Sequence, residues 1–369
     1  MNLKMISPKE STGSNPNSRK IPSSILPLFG FIVMVAILTV AALFAYSPGE
    51  VFVRACKSVV DGLALSMLLF LMVSGFFLIF GLCDVINFAH GAFFMLGGFM
   101  GFVIYLGTES LLLDPALPFY ALFAGNLVLT SIVSFTASAI GAFLILALVG
   151  GGIEFFTIRR LYGNTIAQIL LTVGFMYIIT QVAEITWGSS ILTYFIAPNS
   201  QIHYFFISGI LDFGGALKFE VYRIFLIFLG LTVAGVMFVG FQKTRIGLQI
   251  QAGIEDSEMV EALGTDIKKL LTIVFMMGAG LAGLSGAVLV PWIGANTGHG
   301  LTYLIFAFVI VVVGGAHYGR FEGTFFASLI VGLSIQFTAY FIPELQGIIV
   351  FVIMALILLF KPGGLTGHE

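Results

Sequence analysis

Long apolar runs separated by short polar stretches make up the chain from residue 25 to residue 360. A helix needs about 20 apolar residues to cross a bilayer. Ten runs approach or exceed that length, at about 25–46, 58–80, 84–106, 119–149, 165–187, 221–241, 270–291, 302–318, 324–342 and 346–360. The pattern predicts an all-α fold, a polytopic transmembrane helical bundle of about 10 spans.

The last three runs leave the number of spans open. The stretch 301–342 is short for two passes, and 346–360 is short for one. The count is therefore nine or ten, or this part of the chain includes a re-entrant segment.

Residues 1–24 differ from the rest because they are rich in Ser, Pro and Asn and have no apolar period. Such a composition is typical of a disordered tail. The run 25–46 exceeds the roughly 7–15 apolar residues of a signal peptide, so we expect a retained first helix. The membrane domain then covers residues 25–367.

The basic residues orient the predicted spans. With a cytoplasmic N-terminus and ten passes, twelve Lys and Arg residues fall inside and four fall outside. This excess on the inside is typical of membrane proteins and predicts that both termini are cytoplasmic. Two loops are large: residues 188–220 lie outside and residues 242–269 lie inside.

Composition agrees with a membrane protein, since 59% of the residues are hydrophobic and 9% are charged. Soluble domains carry about 25% charged residues. The net charge of −2 gives no indication of nucleic-acid binding. The sequence contains neither a phosphate-binding P-loop motif nor Cys/His metal spacing, so we expect no cofactor on this chain.

A polar cluster interrupts the apolar region 58–106, which would be about 75 Å long as one helix and must therefore turn. Asp84, Asn87 and His90 recur at a spacing that places them on one face of a helix. Two interpretations remain open. The side chains cap helix ends and satisfy freed backbone groups, or they line a translocation path.

The inner loop contains a second candidate segment, residues 253–264. Asp256 is placed to cap a short helix, and Gly264 is placed to end it in the left-handed conformation. Met259, Val260 and Leu263 would form its apolar face. A two-turn helix is marginal in water, so it must pack on its own membrane domain or on a partner protein.

Small residues recur along the run 270–291. Gly278, Ala282 and Gly286 are four residues apart, with Ala279 and Gly283 beside them. This spacing lets helices approach closely in lipid and predicts a packing surface.

The string from Asp84 to Gly91 resembles the Ile-Asn-Phe-Ala-His-Gly signature of the branched-chain amino acid ABC permease family. Val60-Asp61-Gly62, Tyr222-Arg223-Ile224-Phe225 and the Pro362-Gly363-Gly364-Leu365 ending are similar to further family motifs in the same order. Residues 253–264 resemble the family's coupling loop. The resemblance covers roughly residues 57–367.

This sequence departs from the family pattern at three places. Asp61 stands where the family usually has Asn, and Met259-Val260 stand where it usually has two alanines. Ala92 follows His90-Gly91 where a polar residue is usual. These departures bear on the substrate more than on the transport mechanism.

The resemblance implies a permease subunit that translocates a small polar solute and is not an enzyme. The implied pathway residues are Asp84, Asn87, Phe88, His90 and Gly91. The implied ATPase-coupling residues are Asp256, Glu258, Met259, Val260, Leu263 and Gly264.

The resemblance also implies the partners and the location. We expect a second related permease chain, identical or different, two cytoplasmic ATPase subunits that carry ATP and Mg²⁺, and a periplasmic substrate-binding protein. The chain would be a multi-pass protein of a bacterial cytoplasmic (inner) membrane, in contact with lipid and not with nucleic acid.

Branched-chain or other amino acids are the expected substrates, and urea or short amides are the alternative within the family. An ion-coupled secondary carrier and a passive channel for a small neutral solute are the rivals from other classes. An intramembrane enzyme is disfavoured because the sequence shows no paired carboxylates, metal ligands or Ser-His pair at membrane depth.

Overall fold

The structure is a computed structural model that describes residues 47–83, 85–192, 209–213, 217–315, 321–361 and 363–365. The predicted tail at 1–24 and the predicted first span at 25–46 lie outside the described residues. The helices are α1 (Pro48–Cys83), α2 (Ala89–Leu112), α3 (Tyr120–Ala124), α4 (Leu127–Phe156), α5 (Thr165–Trp187), α6 (Val221–Lys243), α7 (Arg245–Glu255), α8 (Ser257–Ala262), α9 (Ile267–Ile293), α10 (His299–Gly314), α11 (Phe321–Phe341) and α12 (Ile349–Phe360).

Seven of the described helices are long and apolar enough to cross a membrane: α1, α2, α4, α5, α6, α9 and α11. The span that contains α4 also includes the turn that follows this helix. Two shorter apolar helices, α10 and α12, fall on the predicted runs 302–318 and 346–360, two of the three runs that left the span count open. The predicted all-α, polytopic membrane fold is therefore confirmed. Helix α5 has the bounds that the sequence predicted, since Asn164 caps its start and Gly188 follows its end at φ +80°.

Helix α9 lies at the centre of the bundle and packs along α1, α2 and α4. Gly278 faces Gly75 of α1, where an added Cβ would lie 2.7 Å from the Gly75 carbonyl oxygen. Gly283 faces α4, and a Cβ there would lie 2.8 Å from the Leu146 Cβ. Gly286 faces the backbone of Phe94 in α2. The predicted packing role of these small residues is thus confirmed, with a different neighbour for each glycine.

Helix α10 begins inside the bundle. Helices α2 and α9 run parallel, since Gly97 faces Gly283 and Gly101 faces Ala287. The second residue of α10, Gly300, nevertheless packs beside Gly91 in the first turn of α2. The connection after α9 must therefore turn back into the bundle, and this geometry fits the re-entrant alternative.

The loop between α5 and α6 contains a short antiparallel hairpin that the sequence pattern did not predict. Strands β1 (Ile210–Asp212) and β2 (Lys218–Glu220) pair, and Asp212 and Lys218 form an exposed ion pair at 3.1 Å. Elsewhere in the described part of this loop, Leu192 pairs with Ala295 through two backbone hydrogen bonds. The loop therefore contacts the re-entrant connection.

Candidate functional site

The first candidate site is the break between α1 and α2. Helix α1 ends at Cys83 and α2 begins at Ala89, and residues 85–88 are not helical. The predicted turn at the polar cluster is confirmed. Asp84 lies outside the described residues. Asn87 and His90 do not share a helix face, because Asn87 precedes the helix on which His90 lies.

Asn87 caps the start of α2. Its side chain is fully buried, and Oδ1 accepts a hydrogen bond from the Ala89 backbone N–H at 3.1 Å. The Asn87 carbonyl accepts a second bond from the His90 N–H at 3.1 Å. Its Nδ2 group has no hydrogen-bond partner among the described residues. Asn87 thus satisfies backbone groups freed by the break, while its buried Nδ2 group remains without a hydrogen-bond partner in the described structure.

His90 joins the two helices across the break. Its ring is fully buried, and Nε2 lies 3.0 Å from the carbonyl oxygen of Met72 in α1. Because a carbonyl only accepts, Nε2 carries the proton and donates. The Phe76 ring meets the imidazole edge to face at 5.3 Å. Within the described part of the chain, Nδ1 has no partner.

The remaining two residues of this cluster pack between helices. Phe88 is half-buried against the main hydrophobic core. Gly91 touches the Gly300 backbone, and an added Cβ would lie 2.7 Å from the Leu304 Cβ. The break is therefore a closed junction of α1, α2 and α10 in this conformation. Any solute that passes here needs these helices to separate.

The second candidate site is the segment α7–α8, between α6 and α9. Asp256 caps α8, since Oδ1 accepts from the Met259 N–H at 2.9 Å. Gly264 has φ +90°, in the left-handed region that favours glycine. The predicted cap and the predicted terminator are both confirmed. The side chain of Glu258 lies outside the described residues.

The apolar face of α8 is divided between the membrane domain and solvent. Val260 is 6% exposed, whereas Met259 is 62% exposed and Leu263 is 80% exposed. Val260 therefore holds α8 on its own chain. Met259 and Leu263 are left free to contact another protein.

Helix α7 precedes α8 and was missed by the sequence reasoning. It is capped by Thr244, whose hydroxyl accepts from the Gly247 N–H at 3.0 Å, and it buries Ile250. The signal was present in the apolar positions Ile246 and Ile250, four residues apart within a polar stretch. The segment between α6 and α9 is thus a platform of two successive helices.

A third site joins two sequence motifs that are far apart in the chain, Val60-Asp61-Gly62 and Tyr222-Arg223-Ile224-Phe225. Asp61 of α1 forms a buried ion pair with Arg223 of α6 and accepts a hydrogen bond from the Tyr340 hydroxyl of α11. Arg223 also pairs with Glu220 at 3.0 Å and lies 5.3 Å from the Trp292 ring centroid. The side chains that meet at this point come from four helices, α1, α6, α9 and α11.

Replacing Asp61 tests this buried ion pair. Removing one partner of a buried pair leaves the other charge uncompensated and costs about 3–5 kcal/mol. We expect Asp61→Leu to lower the thermal unfolding midpoint of the purified protein strongly, and Asp61→Asn to lower it less because an amide oxygen still accepts.

Asp212→Leu is the matched control, because its ion pair with Lys218 is half exposed. An exposed pair is worth about 0–1 kcal/mol, so the unfolding midpoint should hardly change. Equal shifts for Asp61→Leu and Asp212→Leu would show that the buried pair contributes nothing special.

Comparison with known proteins gives relatives of matching length. The chain is 26% identical over 319 residues to the high-affinity branched-chain amino acid transport system permease protein BraD of Pseudomonas aeruginosa, covering 85% of this chain and 95% of the relative. It is 23% identical over 322 residues to permease protein LivH of Escherichia coli K12, covering 86% and 97%. No solved structure matches significantly.

A third relative is the probable branched-chain amino acid transport permease protein LivH of Methanocaldococcus jannaschii, 24% identical over 325 residues, 85% of this chain and 93% of the relative. The model of one family matches residues 58–358, which include the helix break, the Asp61–Arg223 ion pair and the α7–α8 platform. The chain therefore belongs to the family of permease components of branched-chain amino acid transport systems.

Proposed function

We propose that this chain is the permease subunit of an ATP-driven importer for branched-chain or other amino acids. The observation that carries the proposal is the family match over residues 58–358, together with relatives whose names specify branched-chain amino acid transport. The chain would lie in a bacterial inner membrane with about ten spans and both termini cytoplasmic, as the asymmetry of basic residues indicates.

Two features support the proposed partners: the sequence contains no P-loop motif, and apolar side chains are exposed at α8. Because this chain has no P-loop, ATP and Mg²⁺ would bind on two separate ATPase subunits. Met259 in α8 and Leu263, the residue that follows α8, support docking of an ATPase, because they are exposed apolar side chains on a predicted cytoplasmic loop. A second permease chain would complete the pathway, and a periplasmic binding protein would deliver the substrate.

The coupling segment would comprise Asp256, Glu258, Met259, Val260, Leu263 and Gly264. In this proposal Asp256 and Gly264 fix the two ends of α8, and Val260 attaches the helix to the membrane domain. The exposed side chains of Met259 and Leu263 bind the ATPase and move with it. ATP-driven closure of the ATPases would then move α8 and switch the pathway between inward-facing and outward-facing states.

The pathway would pass the helix break, with Asp84, Asn87, Phe88, His90 and Gly91 at its closed point. The buried groups without partners support this assignment. Asn87 Nδ2 and His90 Nδ1 have no hydrogen-bond partner in the described structure, and an unsatisfied buried group costs about 1–3 kcal/mol. A conformation that opens the junction would supply partners from water or from the substrate.

Asn87→Leu tests the pathway assignment. We expect uptake per molecule of membrane protein to fall about tenfold, the rate effect of roughly 1.4 kcal/mol, because leucine neither caps α2 nor meets a polar solute. His90→Gln, which keeps a donor for the Met72 carbonyl, should be milder. Uptake is measured in cells with the abundance determined by immunoblot, and unimpaired uptake by Asn87→Leu at normal abundance would contradict the assignment.

The substrate is tested by competition. Uptake of labelled leucine by the transporter, reconstituted with its partner subunits, should be reduced by unlabelled isoleucine and valine and not by urea or acetamide. Uptake of labelled urea or acetamide, with no uptake of labelled leucine, would show the amide alternative within the same family.

A further inference from the structure

A buried carboxylate joins the cytoplasmic ends of α4 and α9. Glu154 is fully buried and lies in the last turn of α4. Its Oε1 accepts hydrogen bonds from Arg159 Nε and from the Tyr162 hydroxyl, each at 3.2 Å. Its Oε2 accepts from the Thr272 hydroxyl at 2.6 Å. Side chains from α4, from the turn after it and from α9 therefore meet at one carboxylate.

Arg159 extends this junction to the backbone of α9. Its Nη2 donates to Glu154 Oε2 and to the carbonyl oxygen of Lys268, each at 3.2 Å, and also contacts the Thr272 hydroxyl. The guanidinium lies 4.7 Å from the centroid of the Phe155 ring. Lys268 and Thr272 belong to the first two turns of α9. The junction thus clamps the start of α9 to α4.

The clamp lies directly after the platform helix α8. Only residues 263–266 separate α8 from α9. Within them, the Thr265 N–H donates to the Val260 carbonyl at 3.3 Å, and Asp266 Oδ1 caps α9 by accepting from the Lys269 N–H at 3.1 Å. Because the connection is short and hydrogen bonded, a displacement of α8 also displaces the first turn of α9.

From that first turn, α9 reaches the helices that form the break. It packs through Gly278 on α1, through Gly286 on α2 and through Gly283 on α4. Close-packed helices move as units, because their interfaces change between discrete arrangements. With the clamp intact, α4 and the start of α9 move together; without it, α9 can shift or tilt relative to α4.

We propose that Glu154 and Arg159 are positioning residues for transport, which clamp α9 to α4 so that displacement of α8 is converted into separation of α1 and α2 at the break. They act through α9 and contact neither solute nor nucleotide. The inference rests on the proposed function as an ATP-driven importer. It assigns to the 154–159 turn a role in coupling that the coupling-loop motif does not include.

Thr272 offers a mild pair of variants for the test. Thr272→Val keeps the shape and removes the hydroxyl that bonds Glu154, whereas Thr272→Ser keeps the hydroxyl. Glu154→Gln keeps the size and removes the charge that pairs with Arg159. Arg160→Gln is the matched control, because Arg160 lies on the same turn, is exposed and forms no side-chain hydrogen bond or ion pair within the described part of the chain.

The readout is the number of substrate molecules taken up per ATP hydrolysed by the whole importer in proteoliposomes, with co-purification of the ATPase subunits measured in parallel. We expect Thr272→Val and Glu154→Gln to lower this ratio about fivefold or more, with the ATPase still bound. A factor of about five is the lower end of the usual coupling between two sites of a protein. Thr272→Ser and Arg160→Gln should keep the wild-type ratio.

An unchanged ratio in Thr272→Val and Glu154→Gln would overturn the proposal. A parallel loss of uptake, hydrolysis and protein abundance at a constant ratio would also overturn it, because that is the result of a stabilising role alone. The wild-type protein separates this inference from the proposed function, since a chain that is not an importer subunit would show no ATP-driven uptake before any substitution.

Discussion

Gly286→Val is expected to prevent the protein from accumulating in folded form. An added Cβ at this position would overlap the carbonyl oxygen of Phe94 and lie 2.8 Å from the backbone nitrogen of Gly98, both in α2. Backbone atoms within a helix cannot rotate aside as a flexible side chain can. Overpacking a tight core costs about 1–3 kcal/mol or more. Losses of this size change cellular abundance several-fold, and we expect a fall of roughly tenfold.

Gly235→Val is the matched control for that experiment. Gly235 lies on α6, is exposed at the bundle surface, and a Cβ there would meet nothing within 4 Å. Membrane abundance and the monodispersity of the detergent extract should equal those of the wild type. If both variants accumulated equally, the close contact between α2 and α9 would not be needed for folding.

Leu263→Asp is expected to abolish coupled transport while leaving the membrane domain folded. Leu263 is 80% exposed, so a charge there costs little in the isolated chain. In a complex it would be buried without a partner, at a cost of about 3–5 kcal/mol, which is more than a hundredfold in affinity. The ATPase should therefore be lost on purification, and ATP-driven uptake should disappear with it.

Gly264→Val acts on the same helix through the backbone. Its φ of +90° is strained for any residue with a side chain, and a left-handed residue costs about 1–2 kcal/mol. We expect weaker ATPase retention than in the wild type and stronger retention than in Leu263→Asp. Full retention of the ATPase with normal uptake in both variants would exclude α8 as the docking helix.

Local chain features of this protein were predictable from its sequence. The break at 85–88 follows from a polar cluster inside an apolar region too long for one helix. The cap at Asp256 and the left-handed Gly264 follow from residue chemistry within a few positions. The small residues of α9 predicted close packing, because small side chains at this spacing allow the backbones of neighbouring helices to approach each other closely.

Contacts between distant parts of the chain were not predictable in this way. Asp61 and Arg223 each belong to a recognised motif, but hydropathy does not say that α1 and α6 lie side by side. The same holds for Glu154 and Thr272, which are 118 residues apart. The length of an apolar run does not show where in the bundle its helix begins. The re-entrant start of α10 was therefore only one of several alternatives that the sequence allowed.

The source of energy for uptake tests the central claim most directly. The purified importer is reconstituted in proteoliposomes with ATP or a non-hydrolysable analogue on the cytoplasmic side, and labelled leucine is supplied with the binding protein on the other side. For an ATP-driven importer we expect uptake that requires hydrolysable ATP and is unaffected by a protonophore. Uptake that continues without ATP, as through a channel, or that stops on addition of the protonophore while ATP remains, as in an ion-coupled carrier, would contradict it.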